Sequence, residues 1–153
     1  MMINYLPLGA ITPNDFIPIF NKPSIRQHLI EHAPFDAQSI KTWVREKRHI
    51  DTQDGCLVRA VSVNNCLVGW CGIQRAECGF ELAIVLDTSH WGLGRYVFKF
   101  LLSRAEQLGH QVVYLHLLHT RRESTFLTQR ALRVFKTHML GECFTTYEIK
   151  VGD

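Results

Sequence analysis

The chain has 153 residues, which suits one domain with a single hydrophobic core and leaves no length for a separate substrate domain. Hydrophobic residues make up 46% and charged residues 20%, a composition that excludes an intrinsically disordered chain. The formal net charge of +3 mildly favours anionic ligands, but the basic residues are scattered, so the composition does not indicate nucleic-acid binding.

The sequence also bears on the compartment. No apolar run reaches the roughly 18 residues of a membrane span, and the start, MMINYLPLGAITPND, lacks the basic and apolar regions of a signal peptide. The cysteines are odd in number and lie mostly in apolar segments: Cys56, Cys66, Cys71, Cys78 and Cys143. We therefore expect a cytoplasmic protein with free, mostly buried thiols and no contact with a membrane.

The N-terminal part predicts a short strand at residues 5–8 and then two helices. Thr12 is the expected N-cap of the first helix, with Pro13 at its first position and an end near Phe20. Asp36 is the expected N-cap of the second helix. The apolar residues of that second helix recur at helical spacing, at Ile40, Trp43 and Val44.

A change of period in the middle of the chain predicts a β-hairpin. Residues 56–63 and 66–73 are rich in Val, Leu, Cys and Trp, as strands are. Asn64 and Asn65 between them tolerate the positive φ of a tight turn.

The second half of the chain is predicted to alternate strands and helices. The expected elements are a strand at 80–86, a helix at 97–108 ended by Gly109, a strand at 112–118, a helix at 122–135 and a strand at 143–151. This order predicts one α/β domain, a sandwich whose mixed sheet is covered by helices on both faces. The strands at 80–86 and 112–118 should run parallel and part near their C-terminal ends.

A glycine loop joins the strand at 80–86 to the following helix. Backbone N–H groups and the helix dipole converge at such a place and favour phosphates, and the glycines allow close approach and unusual φ values. Gly92 and Gly94 alone are a weak signal. The dinucleotide fingerprint is excluded because its third glycine position holds Val97, and the lysine of a P-loop is missing.

The strand and loop together resemble a known family. Glu81-Leu82-Ala83-Ile84-Val85-Leu86-Asp87 followed by Trp91-Gly92-Leu93-Gly94 is similar to the fourth strand and pyrophosphate loop of GNAT acyltransferases, especially the ribosomal-protein N-acetyltransferase-like branch. The resemblance implies a GNAT-type three-layer sandwich. It also implies direct transfer of an acetyl group from acetyl-CoA to a primary amine, on a small molecule or a protein N-terminus, with no metal.

The resemblance also implies which residues bind the cosubstrate. The pantetheine arm should pair with the strand backbone at Ile84, Val85 and Leu86, where an N–H of Ile84 or Val85 would meet the oxyanion. The diphosphate should lie on the loop formed by Trp91, Gly92, Leu93, Gly94, Arg95 and Tyr96. Tyr96 departs from the family, which usually has Gly or Ala at this position.

Acid–base residues are expected at two positions. Glu81 opens the fourth strand among apolar neighbours, where a partly desolvated carboxylate could act as general base. The alternative is a surface carboxylate paired with Arg75. The family often takes its general acid from a tyrosine on the later helix, but residues 122–138 contain none, which leaves Ser124 or water.

The histidines and cysteines are weaker candidates for chemistry. His116 and His119 form an H-x-x-H pattern, but residues three apart on a strand face opposite sides, so a metal site is not expected. A thiol nucleophile at Cys71 or Cys78 has no supporting histidine spacing.

Other functions remain open. A relative that binds acyl-CoA or a protein partner without turnover would explain Tyr96 and the missing tyrosine acid. A nucleic-acid-binding module would depend on residues 45–48 and on Arg121-Arg122, which are short runs at proposed element ends. A homodimer is compatible with the sequence.

Overall fold

The computed structural model describes residues 2–152 and contains one mixed sheet with strand order β1-β2-β3-β4-β5-β7-β6. The strands are β1 (Ile3–Leu6), β2 (Leu57–Val63), β3 (Cys66–Ala76), β4 (Gly79–Leu86), β5 (Val112–Leu118), β6 (Ala131–Met139) and β7 (Glu142–Lys150). The α-helices are α1 (Ile17–Phe20), α2 (Pro23–Arg26), α3 (Ala37–Asp51), α4 (Gly94–Gln107) and α5 (Thr125–Arg130).

Helices cover both faces of this sheet, so the predicted three-layer α/β sandwich is confirmed. On one face α3 and the N-terminal segment pack against β2 and β3, and this cluster includes Phe16, Ile40 and Trp70. On the other face α4 packs against the sheet, with Val97 and Leu101 fully buried. Within the described residues, no helix is both long and apolar enough to cross a membrane.

Local signals in the sequence specify α3 and the hairpin. The Asp36 carboxylate accepts the Ser39 N–H at 2.8 Å and the Ser39 hydroxyl accepts the Asp36 N–H at 2.9 Å, a reciprocal cap that fixes the start of α3. The turn between β2 and β3 places Asn64 and Asn65 at φ of 50° and 69°. Both predictions are confirmed.

The first elements differ in detail from the prediction. β1 lies at Ile3–Leu6, so Leu8 belongs to a 3₁₀ turn and not to the strand. The segment after Thr12 is a 3₁₀ turn at Pro13–Phe16 that leads into the short α1, and the Thr12 side chain makes no capping hydrogen bond.

Two of the cysteines, Cys66 and Cys78, are exposed, against the expectation of mostly buried thiols.

The helix predicted at residues 122–135 is wrong after Arg130. From Ala131 the chain forms β6, which pairs antiparallel with β7. Cross-strand contacts hold this register: the Arg133 guanidinium donates to Glu148 at 2.6 Å, and Lys136 Nζ donates to Thr145 Oγ1 at 2.6 Å. Pairing with the next strand, across the tight turn at Leu140 and Gly141 with φ of 51° and 78°, therefore overrides the local helical spacing.

Candidate active site

The parallel strands β4 and β5 are paired only at their first halves. Glu81 pairs with Tyr114 and Leu82 with Leu115, and the described chain has no further register between these strands. Residues 83–86 therefore have β3 on one side and a gap on the other. This agrees with the predicted parallel strands that part near their C-terminal ends.

The register with β3 decides which backbone groups face the gap. The Asp87 N–H donates to the Val68 carbonyl at 2.7 Å, and directions alternate along an antiparallel strand. Val85 therefore faces β3, and indeed a Cβ at Gly69 would collide with the Val85 carbonyl oxygen. The N–H groups of Ile84 and Leu86 are directed to the gap.

Trp91 closes the far end of the gap. Its indole Nε1 donates to the Leu86 carbonyl oxygen at 2.9 Å. The ring lies 5.6 Å from the His28 ring, and the Arg121 guanidinium carbon lies 5.2 Å from the Trp91 ring centroid. Burial lowers the pKa of Arg121, although a guanidinium stays charged at neutral pH.

The glycines of the loop have ordinary backbone angles. Residues 88–93 form 3₁₀ turns, and Gly94 begins α4 with φ −53° and ψ −37°. A Cβ at Gly92 or Gly94 would have no described atom within 4 Å. The expected need for unusual φ values is therefore wrong here, and open space beside the backbone is what these glycines provide.

The start of α4 offers a site for an anion. The Gly94 N–H already donates to the Trp91 carbonyl, but helix first-turn N–H groups, including those of Arg95 and Tyr96, have no acceptor within the helix itself. Helix dipole and first-turn amides together favour phosphate. Leu93 is buried and anchors the loop in the core, whereas the Tyr96 side chain is 56% exposed.

Basic side chains surround this helix start. The Arg95 and Arg130 guanidinium carbons lie 4.7 and 5.0 Å from the Phe126 ring centroid. Lys22 Nζ forms an ion pair with Asp87 at 2.7 Å, next to the loop. Burial alone would raise the pKa of Asp87, but bonds from Lys22 and the Ser89 N–H outweigh it and lower that pKa.

Glu81 lies at the closed end of the gap, on the α3 face of the sheet. Gln74 Nε2 donates to Glu81 Oε1 at 2.9 Å, and Lys47 Nζ donates to Gln74 Oε1 at 2.8 Å, which fixes the orientation of the Gln74 amide. The proposed alternative partner Arg75 instead lies over the Phe80 ring, 5.0 Å from its centroid. The Arg75 side chain thus packs on Phe80, and a structural role for Glu81 stays the alternative to the general base.

His116 is a site residue that sequence reasoning missed. Its Nε2 lies 3.6 Å from Glu81 Oε2, and its side chain is only 6% exposed. Its Nδ1 lies 2.7 Å from Thr146 Oγ1. Burial lowers the pKa of His116, against the opposing effect of Glu81. Only the pairing of β4 with β5 brings these residues together, so the sequence carried no local signal.

His119 lies apart from His116. Its Nε2 contacts Glu142 Oε2 at 3.0 Å at an exposed position. The described residues contain no group of three or more His, Cys, Asp or Glu side chains arranged to hold a metal ion. Cys78, by contrast, does have a histidine neighbour: its Sγ lies 3.7 Å from His116 Nε2.

Ser124 is the N-cap of α5. Its Oγ accepts the Leu127 N–H at 3.1 Å, which leaves the hydroxyl proton available for donation. Its own N–H donates to the hydroxyl of Tyr147 at 2.9 Å. Tyr147 is fully buried on β7, so a tyrosine does reach this helix, from a strand that the sequence did not connect with it.

A cavity of about 230 Å³ lies on the α3 face beside the end of β5. Leu118 in its wall is two residues after His116, on the same face of β5. The opposite wall is the segment after α2, and the carboxylates Glu31 and Glu142 line it as well.

Comparison with known families gives one match. The sequence model described as the acetyltransferase (GNAT) family matches residues 22–132, which spans β4, the glycine loop and α4. No curated protein sequence is significantly similar to the chain.

Solved structures share the fold at low identity. An N-acetyltransferase from Staphylococcus aureus Mu50 superposes with a TM-score of 0.69 at 14% identity, over 99% of this chain and 98% of that one. A ribosomal-protein-alanine N-acetyltransferase from Brucella melitensis gives 0.69 at 12% identity, over 98% and 99%. The structure of yncA from Salmonella typhimurium with its cofactor acetyl-CoA gives 0.65 at 12% identity, over 100% and 95%.

Proposed function

Because this chain belongs to the GNAT acetyltransferase family, we propose that it transfers an acetyl group from acetyl-CoA to a primary amine by direct transfer in a ternary complex. The observation that carries the proposal is the gap between β4 and β5. It runs from the acid–base pair Glu81 and His116 to the amides at the start of α4.

The residues beside the gap fit acetyl-CoA, which supplies an acyl group activated as a thioester. Ile84 can pair its N–H and carbonyl with the amides of an extended pantetheine arm, as an added strand would. The N–H groups of Arg95 and Tyr96, at the positive end of the α4 dipole, suit the diphosphate. The open space beside Gly92 and Gly94 lets it approach the backbone.

Glu81 is the proposed general base. An amine with a pKa near roughly 10 is almost wholly protonated at neutral pH and cannot attack a thioester until it loses a proton. The Glu81 carboxylate lies where the gap closes, with Oε1 held by Gln74 and Oε2 free of a direct donor within 3.5 Å among the described residues. Ser124 is the proposed proton donor to the leaving thiolate.

The acceptor is proposed to enter from the α3 face, through the cavity beside Leu118. Glu31 contributes a carboxylate that favours a cationic molecule such as an ammonium, whereas Glu142 is paired with His119 and Arg26 adds a positive charge to the wall. Either a small amine or the N-terminus of a protein satisfies this chemistry. The fold shared with a ribosomal-protein-alanine N-acetyltransferase makes N-terminal peptides worth including among the acceptors tested.

A second function is favoured by one observation. Tyr96 places a large, exposed ring on the first turn of α4, where the family usually has Gly or Ala. A chain that binds acyl-CoA or a partner without turnover would not need an efficient cosubstrate site. This alternative predicts binding without product.

One assay separates the two functions. Native mass spectrometry first tests whether a coenzyme A species co-purifies or binds on addition of acetyl-CoA. The protein is then incubated with acetyl-CoA and a panel of polyamines, amino acids and peptides with free N-termini, and both free thiol and acetylated product are measured. Amine-dependent product supports the enzyme, and binding with no product supports the alternative. No binding of a coenzyme A species overturns both the enzyme and an acyl-CoA-binding alternative.

A further inference from the structure

We propose that His116 is a second acid–base residue of this reaction and that Glu81 and His116 act as one proton-holding pair. The inference rests on the proposed function, because it assigns a role within amine acetylation. The observations that carry it are the contact between the two side chains and the hydrogen bonds that hold each of them.

The stoichiometry of the reaction calls for more than one proton acceptor. An alkyl ammonium that becomes an amide loses two protons: one before nitrogen attacks the thioester carbon, and one after the C–N bond has formed. As the C–S bond breaks, its electron pair stays on sulfur, which takes up one proton, and the other proton passes to solvent. A single carboxylate holds only one proton at a time, so a neighbouring base lets both be removed within the site.

The geometry divides the Glu81 carboxylate into two oxygens with different neighbours. Oε1 accepts the Gln74 amide at 2.9 Å, and that amide cannot turn without losing its bond from Lys47. Oε2 is the oxygen that faces His116 Nε2 at 3.6 Å. A proton on Oε2 therefore has a nitrogen lone pair as its nearest basic neighbour.

The other side of the imidazole can adjust to the proton. Nδ1 lies 2.7 Å from Thr146 Oγ1, which itself lies 2.8 Å from Thr137 Oγ1. A hydroxyl can either donate or accept, so Thr146 can pair with Nδ1 in either tautomer of the ring. Thr146 is fully buried, which fixes the ring without imposing one protonation state.

The surroundings keep the ring neutral and basic at neutral pH. Burial lowers the pKa of His116, and Glu81 from β4 opposes that shift. The other titratable neighbour is the Cys78 thiol at 3.7 Å, whose pKa burial raises, so it adds no charge at neutral pH. On the remaining side lies the Phe144 ring, whose centroid is 6.3 Å from that of the His116 ring. Lys47 on α3 donates to Gln74, which lies between Lys47 and Glu81.

The kinetic test compares Glu81→Gln, His116→Gln and the double variant, with His49→Gln, an exposed histidine on α3, as control. Each of the first two variants should lower kcat by about 10²-fold or more. The kcat of the double variant should lie within about threefold of the kcat of the slower single variant, because the two residues act as a unit. The acid limb of the kcat–pH profile should shift in His116→Gln and stay unchanged in His49→Gln.

An NMR titration gives a readout that does not need an acceptor. The ring signals of His116 are followed against pH in the wild type and in Glu81→Gln. Loss of the carboxylate charge should lower the pKa of His116. The same His116 pKa in the wild type and in Glu81→Gln would overturn the proposal that the two residues act as a pair. Full turnover and an unchanged pH profile in His116→Gln overturn the inference and leave the proposed function standing, whereas a wild type with no turnover on any amine overturns the proposed function itself.

Discussion

The indole of Trp91 donates to the Leu86 carbonyl oxygen at 2.9 Å, so the glycine loop is tied to the last residue of β4. This bond connects the two parts of the proposed cosubstrate site, the strand edge and the helix start. It holds the loop at a fixed distance from the gap even though the Trp91 side chain is 40% exposed.

Trp91→Phe should weaken acetyl-CoA binding several-fold. The phenyl ring keeps the packing near His28 and Arg121 but cannot donate to Leu86, and a lost neutral hydrogen bond costs about 1 kcal/mol. Calorimetry gives the Kd and thermal unfolding gives Tm. The control is Trp43→Phe, which removes an indole on α3, outside the loop. Wild-type affinity and Tm in Trp91→Phe would show that the bond does not position the loop.

Gly94→Glu should abolish acetyl-CoA binding while the protein stays folded. A Cβ at this position meets no described atom within 4 Å, and an acid at a helix N-terminus is favourable for the helix itself. The same charge would repel the diphosphate. Gln107→Glu, at the opposite end of α4, adds the same charge and should leave calorimetric affinity unchanged. Unchanged affinity in Gly94→Glu would mean that the site lies elsewhere.

Tyr96→Ala tests the departure from the family pattern. The ring is 56% exposed and is not among the stacked aromatic pairs of the described chain, so its removal should cost little stability. Affinity for acetyl-CoA should stay level or increase, because the ring only crowds the helix start. Tyr96→Phe separates the effect of the ring from that of the hydroxyl. A marked loss of affinity in the alanine variant would show that the ring packs on the ligand.

Glu81→Gln should lower kcat by about 10²- to 10⁴-fold and leave the Kd for acetyl-CoA nearly unchanged. Glutamine keeps the shape and can still accept from Gln74, so the loss is one of basicity. The control is Glu77→Gln, an exposed carboxylate in the turn just before β4. Turnover of an identified amine at the wild-type rate, with the same pH profile, would assign Glu81 a structural role.

The stability of the fold should depend on pH through His116. Because burial lowers the folded-state pKa of His116 below 6.5, the unfolded chain binds more protons in the window below that value. Stability contributed by the neutral ring is therefore present above pH 6.5 and lost as pH falls toward the folded pKa. Between pH 7 and pH 5, His116→Gln should lose less unfolding free energy in urea titrations than the wild type. An equal loss in both proteins would contradict a lowered pKa.

The sequence by itself determined the elements whose signals are local. The reciprocal cap of Asp36 and Ser39, the Asn64-Asn65 turn and the strand-loop-helix segment from Glu81 onward all depend on residues a few positions apart. These interactions form between residues of one short segment and do not depend on what packs against it. They were sufficient to predict the mixed sheet and its covering helices, and the resemblance of the strand and glycine loop to GNAT acyltransferases predicted the family.

Only the tertiary structure decided what depends on strand neighbours. The segment after Arg130 is a strand because β7 is beside it, although its spacing is helical. His116 meets Glu81 because the crossover through α4 returns β5 to the side of β4, and the register with β3 directs Ile84 rather than Val85 to the gap. The pairing of β4 with β5 joins residues far apart in the chain, and for β6, as for β5, no periodicity within the segment specifies which strand will be its neighbour or in what register.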